Sequence, residues 1–178
     1  MKLLKTPRCL PRPLHQDQVC RLERCIQAAI NNAQTEYQRQ LIIRDLACFY
    51  LLWHCGLRIS EVCPLLVNDV DLPGRKLFIR NSKERKDRLV YLSETAVEAL
   101  RHNITIRPDP SSAYLFITRL GVLKRGGFWK RLRTYGHHAE SLSQHGDFDI
   151  PSQARCLQLV CRYPLCNVIW VTSLWTLQ

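Results

Sequence analysis

The sequence Gly56-Leu-Arg-Ile-Ser-Glu61 decides the fold, because it ends one helical segment and starts another. A strongly apolar run from Leu41 to His54 precedes it and predicts a helix buried in the core. Glycine adopts the left-handed conformation that ends a helix at least cost, so Gly56 is expected to terminate this one. Arg58 then begins a second helical segment, Arg58 to Leu66, and the backbone on both sides aims its guanidinium. This placement favours a fixed contact with an anion.

Two short alternating runs further along the chain predict a β-hairpin with a basic tip. They cover Lys76 to Arg80 and Arg88 to Leu92. The polar connection between them contains three cations, which are Lys83, Arg85 and Lys86. A guanidinium at a helix start and a lysine on a hairpin together suit the gripping of one phosphate group.

These segments, in this order and spacing, resemble the phage integrase, or tyrosine site-specific recombinase, family. The likeness rests on Gly56–Glu61, on Asn68-Asp-Val-Asp-Leu72 and on Ser82-Lys-Glu-Arg-Lys-Asp-Arg-Leu-Val-Tyr-Leu92. Tyr91 stands where the family usually has proline. The resemblance implies an α+β fold, mainly helical with a small antiparallel sheet, like the front half of the family's catalytic domain.

The resemblance also implies roles for individual residues. Arg58 corresponds to the first catalytic arginine of the family and Lys83 to the hairpin lysine, although Lys86 is a near competitor for that role. In the family a tyrosine attacks a DNA phosphate without a metal, and arginines bind the nonbridging oxygens as negative charge develops. The hairpin lysine protonates the leaving oxygen. No cofactor is therefore expected, and double-stranded DNA is the implied substrate.

A basic segment after the hairpin is a further candidate for DNA binding. The residues from Leu123 to Gly136 resemble a family segment in which a helix follows a short turn. Phe128, Leu132 and Tyr135 would share its buried face. The cations fall outside that face. They either contact only solvent or bind phosphate groups, and the sequence does not decide between these alternatives. The residues predicted to bind DNA are Lys86, Arg88, Lys124, Arg125, Lys130 and Arg131.

Charge and cysteine content narrow the class of partner. The 178 residues carry a net charge of +11, and the excess lies in residues 1–146, because Asp147 and Asp149 cancel Arg155 and Arg162. This balance indicates a polyanion, but it does not separate DNA from RNA or an anionic membrane. The nine cysteines form no C-x-x-C pair, and no secretory signal begins the chain. We therefore expect structural thiols, no metal and a reducing cytoplasm.

The sequence predicts three regions. Residues 1–10 form a basic leader, residues 11–140 a partial integrase-like catalytic domain, and residues 141–178 a tail that departs from the family pattern. The H-x-x-R motif of the family and its later nucleophilic tyrosine have no match. We hypothesise that a frameshift supplied the tail, and we expect it to be poorly ordered.

These observations favour a site-specific recombinase of a mobile element, present as a truncated and inactive copy. A non-enzymatic DNA-binding remnant and a basic helix-turn-helix regulator are the alternatives. The expected partners are double-stranded DNA and other recombinase subunits, with no membrane and no small-molecule substrate. Because the later helices of the family domain have no match, we also expect the run from Leu41 to Trp53 to expose apolar surface.

Overall fold

The computed structural model describes residues 14–80 and 87–141, with side chains as far as Ala139. The helices are α1 Gln16–Asn31, α2 Glu36–Trp53, α3 Ile59–Val62, α4 Glu94–Ile106 and α5 Arg125–Ser141. The strands are β1 Val70–Asp71, β2 Lys76–Ile79, β3 Arg88–Tyr91, β4 Ile117–Thr118 and β5 Gly121–Val122, and a 3-10 turn, Val67–Asp69, precedes β1. The predicted α+β class, mainly helical with a small antiparallel sheet, is confirmed. The predicted leader and nearly all of the predicted tail lie outside the described residues.

Helix α2 starts earlier in the chain than the polar residues before Leu41 suggest. The polar stretch from Asn31 to Gln40 predicts a loop, but the helix begins at Glu36. The hydroxyl of Thr35 accepts a hydrogen bond from the backbone N–H of Gln38 at 3.1 Å and so caps one of the free N–H groups of the first turn. The polarity of residues 36–40 therefore marks an exposed helical turn.

The core of the described part is built around α2. Helices α1, α4 and α5 all pack against it. The helical spacing of the apolar residues of α1 predicts one buried face, and Val19, Leu22 and Ile26 on that face are buried. Phe49 of α2 is fully buried. The expectation of exposed apolar surface between Leu41 and Trp53 is wrong, since most side chains of α2 are buried by these neighbouring elements.

The hairpin forms as predicted, within a three-stranded antiparallel sheet of order β1-β2-β3. Phe78 pairs with Leu89, and Ile79 pairs with Arg88. Successive side chains of a strand point to opposite faces, so Ile79 is buried while Phe78 and Leu89 are exposed. Arg88 lies on the inner face with Ile79, and its side chain therefore extends over the body of the protein.

Within residues 14–80 and 87–141, no helix combines the length and the apolar character that crossing a bilayer requires. The same residues contain no cluster of three or more histidine, cysteine, aspartate or glutamate side chains suited to holding a metal ion.

Candidate phosphate-binding site

The turn between α2 and α3 places Arg58. Gly56 adopts a φ of 63°, in the left-handed region that favours glycine. The backbone N–H of Leu57 donates to the carbonyl of Leu51 at 3.2 Å, which closes the end of α2. Arg58 follows as the N-cap residue of α3, with extended backbone. The prediction that Gly56 ends the helix and that Arg58 begins the next one is therefore confirmed, but α3 ends at Val62 and not at the predicted Leu66.

Glu61 connects Arg58 with the hairpin. Its carboxylate accepts a hydrogen bond from the backbone N–H of Arg58 at 2.7 Å and from Arg58 Nη1 at 3.1 Å. It also accepts one from Arg88 Nη2 at 2.8 Å. The Glu61 side chain is only 8% exposed, whereas those of Arg58 and Arg88 are 42% and 34% exposed. Two guanidinium groups thus share one buried carboxylate, so these three described side chains together carry a net charge of +1.

A second buried carboxylate holds the other strand of the hairpin. Arg80, at the end of β2, donates from Nε to Asp69 Oδ1 at 2.7 Å. The other oxygen of Asp69 accepts from the backbone N–H of Leu66 at 3.1 Å. The Asp69 side chain is 5% exposed and that of Glu61 is 8% exposed, so both strands are tied to the α3 region by ion pairs to buried carboxylates, although the Arg80 side chain is itself 62% exposed. The hairpin is consequently fixed relative to Arg58.

The two hairpin lysines, Lys83 and Lys86, lie in residues 81–86, outside the described residues. Their assigned roles stay predictions. What the structure does show is that the strand leading out of this segment carries Arg88 to the carboxylate that also binds Arg58.

Helix α5 presents part of its predicted basic face. Lys124, Arg125 and Lys130 are exposed. Burial raises the pKa of the Cys63 thiol to about 11, although Arg125 and Arg44 act in the opposite direction. Arg125 is therefore within electrostatic range of Cys63, at the C-terminal end of α3.

Arg131 has a different environment from the other cations of α5. Its Nε donates to Asp45 Oδ2 in a short contact, and its side chain is 33% exposed. Burial alone would lower the pKa of Arg131, but Asp45 and Tyr135 together raise it above its ordinary value. This bonding favours a structural role for Arg131, and its predicted contact with phosphate stays a prediction.

Asp45 is the acceptor of a buried network that the sequence analysis missed. It is 0% exposed, and its Oδ1 accepts from Arg44 Nε at 3.1 Å and from Arg44 Nη2 at 2.6 Å. The Tyr135 hydroxyl donates to Oδ2 at 3.0 Å, and Arg44 also donates to the carbonyl of Ile117 at 3.0 Å. The available signal was an Arg-Asp pair in the middle of an apolar helix, because such charges are rarely buried without partners.

The arrangement around Glu61 suits a phosphate group. A guanidinium offers several N–H donors in a planar fork that matches phosphate oxygens. Arg58 and Arg88 each donate a hydrogen bond to Glu61, and roughly a third or more of each side chain remains exposed to solvent. A bound anion would therefore meet two oriented cations whose positions a shared carboxylate fixes.

The comparisons with known proteins all point to the same family. Residues 18–147 match the model of the phage integrase family. Tyrosine recombinase XerA of Pyrococcus horikoshii is 30% identical over 140 residues, which cover 76% of this chain and 44% of that protein. Tyrosine recombinase XerC of Chlorobaculum parvum is 35% identical over 117 residues, which cover 60% of this chain and 34% of that protein. The chain spans less than half the length of these curated relatives.

Solved structures show the same fold. The crystal structure of XerA recombinase matches with a TM-score of 0.64 at 22% identity, over 86% of this chain and 50% of that chain. The XerH site-specific recombinase bound to its difH substrate matches with a TM-score of 0.62 at 18% identity, over 89% of this chain and 44% of that chain. These likenesses extend over about half of each recombinase.

Proposed function

The chain belongs to the phage integrase family, and on that premise we propose that it binds double-stranded DNA as an inactive copy of a tyrosine recombinase. Arg58 and Arg88 would contact one phosphate of the duplex. Lys124, Arg125 and Lys130 would contact the backbone further along. Lys83 keeps its predicted place as the hairpin lysine of the family.

The observation that carries this proposal is the sharing of Glu61 by Arg58 and Arg88. A lone exposed arginine is usually a solvated charge, and its side chain loses entropy when it is held in place. Here Glu61 already orients both guanidinium groups in the absence of ligand, so little further side-chain entropy is lost when an anion binds. A preorganised pair of cations is the kind of site that a phosphate diester requires.

The solved neighbours support the choice of ligand. XerH is seen on its difH substrate, and the Tn1549 transposon integrase is seen with circular intermediate DNA. Non-specific binding of a duplex depends mainly on phosphate contacts, which the excess of basic residues in this chain can provide. Other recombinase subunits as partners and a cytoplasmic location belong to the same proposal.

We propose inactivity because the chemistry needs groups that the sequence does not offer. No histidine in the 178 residues is followed by arginine three positions later. Removal of one group that stabilises the transition state lowers the rate by about 10²–10³, and a missing nucleophile removes the covalent route altogether. The 178-residue chain should therefore bind DNA without cutting it.

The test of binding uses a fluorescent duplex and anisotropy at 0.1 M salt. Each phosphate contact contributes about 0.9 to the slope of log K against log salt, so losing one contact should weaken binding about eightfold at this concentration. Arg58→Gln and Arg88→Gln should each show that loss. Arg101→Gln is the matched control, because Arg101 is exposed on α4. Equal affinity in all three variants would contradict the proposal.

The test of inactivity uses a nicked duplex that traps covalent protein–DNA adducts. We expect duplex binding and no adduct with the full chain. An adduct that survives denaturing electrophoresis would show that the chain carries a working nucleophile, and it would overturn the inactive assignment while leaving the binding assignment in place.

A further inference from the structure

The turn between β4 and β5 is ordered by bonds within itself. The hydroxyl of Thr118 donates to the carbonyl of Gly121 at 2.9 Å and accepts from the backbone N–H of Leu120 at 3.1 Å. Gly121 has a φ of 99°, in the left-handed region that this turn requires. The tip of the β4–β5 hairpin, residues 118–121, is thus a defined turn with an apolar residue in it.

The same tip is fixed against α2. The guanidinium carbon of Arg119 lies 3.7 Å from the centroid of the Tyr37 ring, which is a cation–π contact. The backbone N–H of Arg119 also donates to the Tyr37 hydroxyl at 3.4 Å. Because Arg119 turns toward the protein in this way, the next residue projects outward.

Leu120 is 97% exposed, while Ile117 and Leu123 on either side of the turn are buried. Burying a leucine side chain stabilises a protein by roughly 1.5–3 kcal/mol, so Leu120 contributes none of this to the described fold. A polar residue would serve an exposed turn equally well. The exposure of Leu120 leaves its side chain available to a partner.

Cations surround Leu120 in the sequence. Arg119 precedes it, and Lys124 and Arg125 follow within five residues, which is at most about 18 Å of chain. An apolar side chain flanked by basic residues is the arrangement with which proteins enter the minor groove of DNA and partly separate two stacked bases. Lys124 and Arg125 provide positive charge that favours an anionic partner, and double-stranded DNA is the anionic partner of the proposed function.

We propose that Leu120 is an apolar contact to duplex DNA that enters the minor groove, while Lys124 and Arg125 hold the adjacent phosphates. This inference rests on the proposed function, since it needs the chain to bind a duplex. An apolar contact releases no counterion from DNA, whereas a phosphate contact does. The two kinds of contact therefore differ in how mutation changes the dependence of affinity on salt.

The first experiment measures affinity of the full chain for a labelled duplex between 50 and 200 mM salt, a range of about fourfold over which phosphate contacts dominate the change. Leu120→Gln should weaken binding at least about threefold at every salt concentration and leave the slope unchanged, and Leu120→Met should retain affinity. A changed slope, or equal affinity of Leu120→Gln and the wild-type chain, would overturn the inference.

The second experiment places the photoreactive residue benzoylphenylalanine at position 120, and at position 101 as a control, because Arg101 is exposed on α4, outside the proposed DNA contacts. Cross-links to the duplex from position 120 and not from position 101 are expected. Two results would overturn this inference but not the proposed function: cross-links from position 120 to a second copy of the chain, or no cross-link from position 120 while DNA stays bound. If the wild-type chain does not bind the duplex, the proposed function fails together with it.

Discussion

Replacing Asp45 by asparagine removes a charge from the core with almost no change in volume. In the native chain the Asp45 carboxylate accepts two hydrogen bonds from Arg44, one from Arg131 and one from the Tyr135 hydroxyl. The Arg44 residue is only 3% exposed. In the Asp45→Asn variant its guanidinium would therefore lie buried without a counter-charge, facing an amide that offers one acceptor oxygen instead of two.

The magnitude follows from the burial of each partner. Removing one member of a buried ion pair costs about 3–5 kcal/mol, because the remaining charge is left uncompensated. The Arg131 side chain is 33% exposed, so solvent screens its contribution. The cost should therefore come mainly from Arg44 and lie near the lower limit, at about 3 kcal/mol. That is a large part of the roughly 5–15 kcal/mol by which a domain is stable.

Urea denaturation of the full chain, followed by circular dichroism, measures this loss. The midpoint should fall in Asp45→Asn while the m-value stays unchanged. Arg133→Gln is the control, because Arg133 lies exposed on the same helix as Arg131 and a surface change should stay within about 0.5 kcal/mol. A loss below about 1 kcal/mol in Asp45→Asn, with the m-value unchanged, would refute the reasoning that Asp45 neutralises a buried cation.

Two further predictions concern α5 and the end of α2. Alanine at Gly126 and at Gly127 should each raise the free energy of unfolding by about 0.5–1 kcal/mol in urea titrations, since an added Cβ meets no atom within 4 Å, and no gain would contradict this. Burial lowers the pKa of His54 below its ordinary value of 6.5, against the opposing effect of Glu23. The unfolded state then binds more protons, so the free energy of unfolding should fall as pH drops below about 6.5. Thermal melts should show this fall weakened in His54→Gln but not in the control His102→Gln, and equal pH dependence in both would disprove it.

The sequence predicts the features whose causes lie close together in the chain. Gly56, Arg58 and Glu61 fall within six residues, so their turn, cap and ion pair follow from local chemistry. The hairpin is likewise set by two alternating strands separated by a short polar connection. The helix start at Glu36 escaped prediction because a single threonine cap outweighs a polar composition.

Long-range pairings lay beyond reach of the sequence. Arg131 and Asp45 are 86 residues apart, and no periodic pattern shows which of several cations on α5 turns inward. The bond between Arg88 and Glu61 spans 27 residues and depends on the inner face of β3 lying over α3. Tertiary packing selects such partners, so charge patterning alone predicts a basic surface without saying which arginines belong to it.

The salt dependence of duplex binding tests the central claim, that Arg58 and Arg88 hold one DNA phosphate together through Glu61. In the double variant Arg58→Gln/Arg88→Gln, the slope of log K against log salt should become shallower by about 0.9, because the two arginines neutralise one phosphate between them. The control Arg24→Gln/Arg101→Gln removes the same charge from exposed positions on α1 and α4 and should keep the wild-type slope. Equal slopes in the two double variants would contradict the claim.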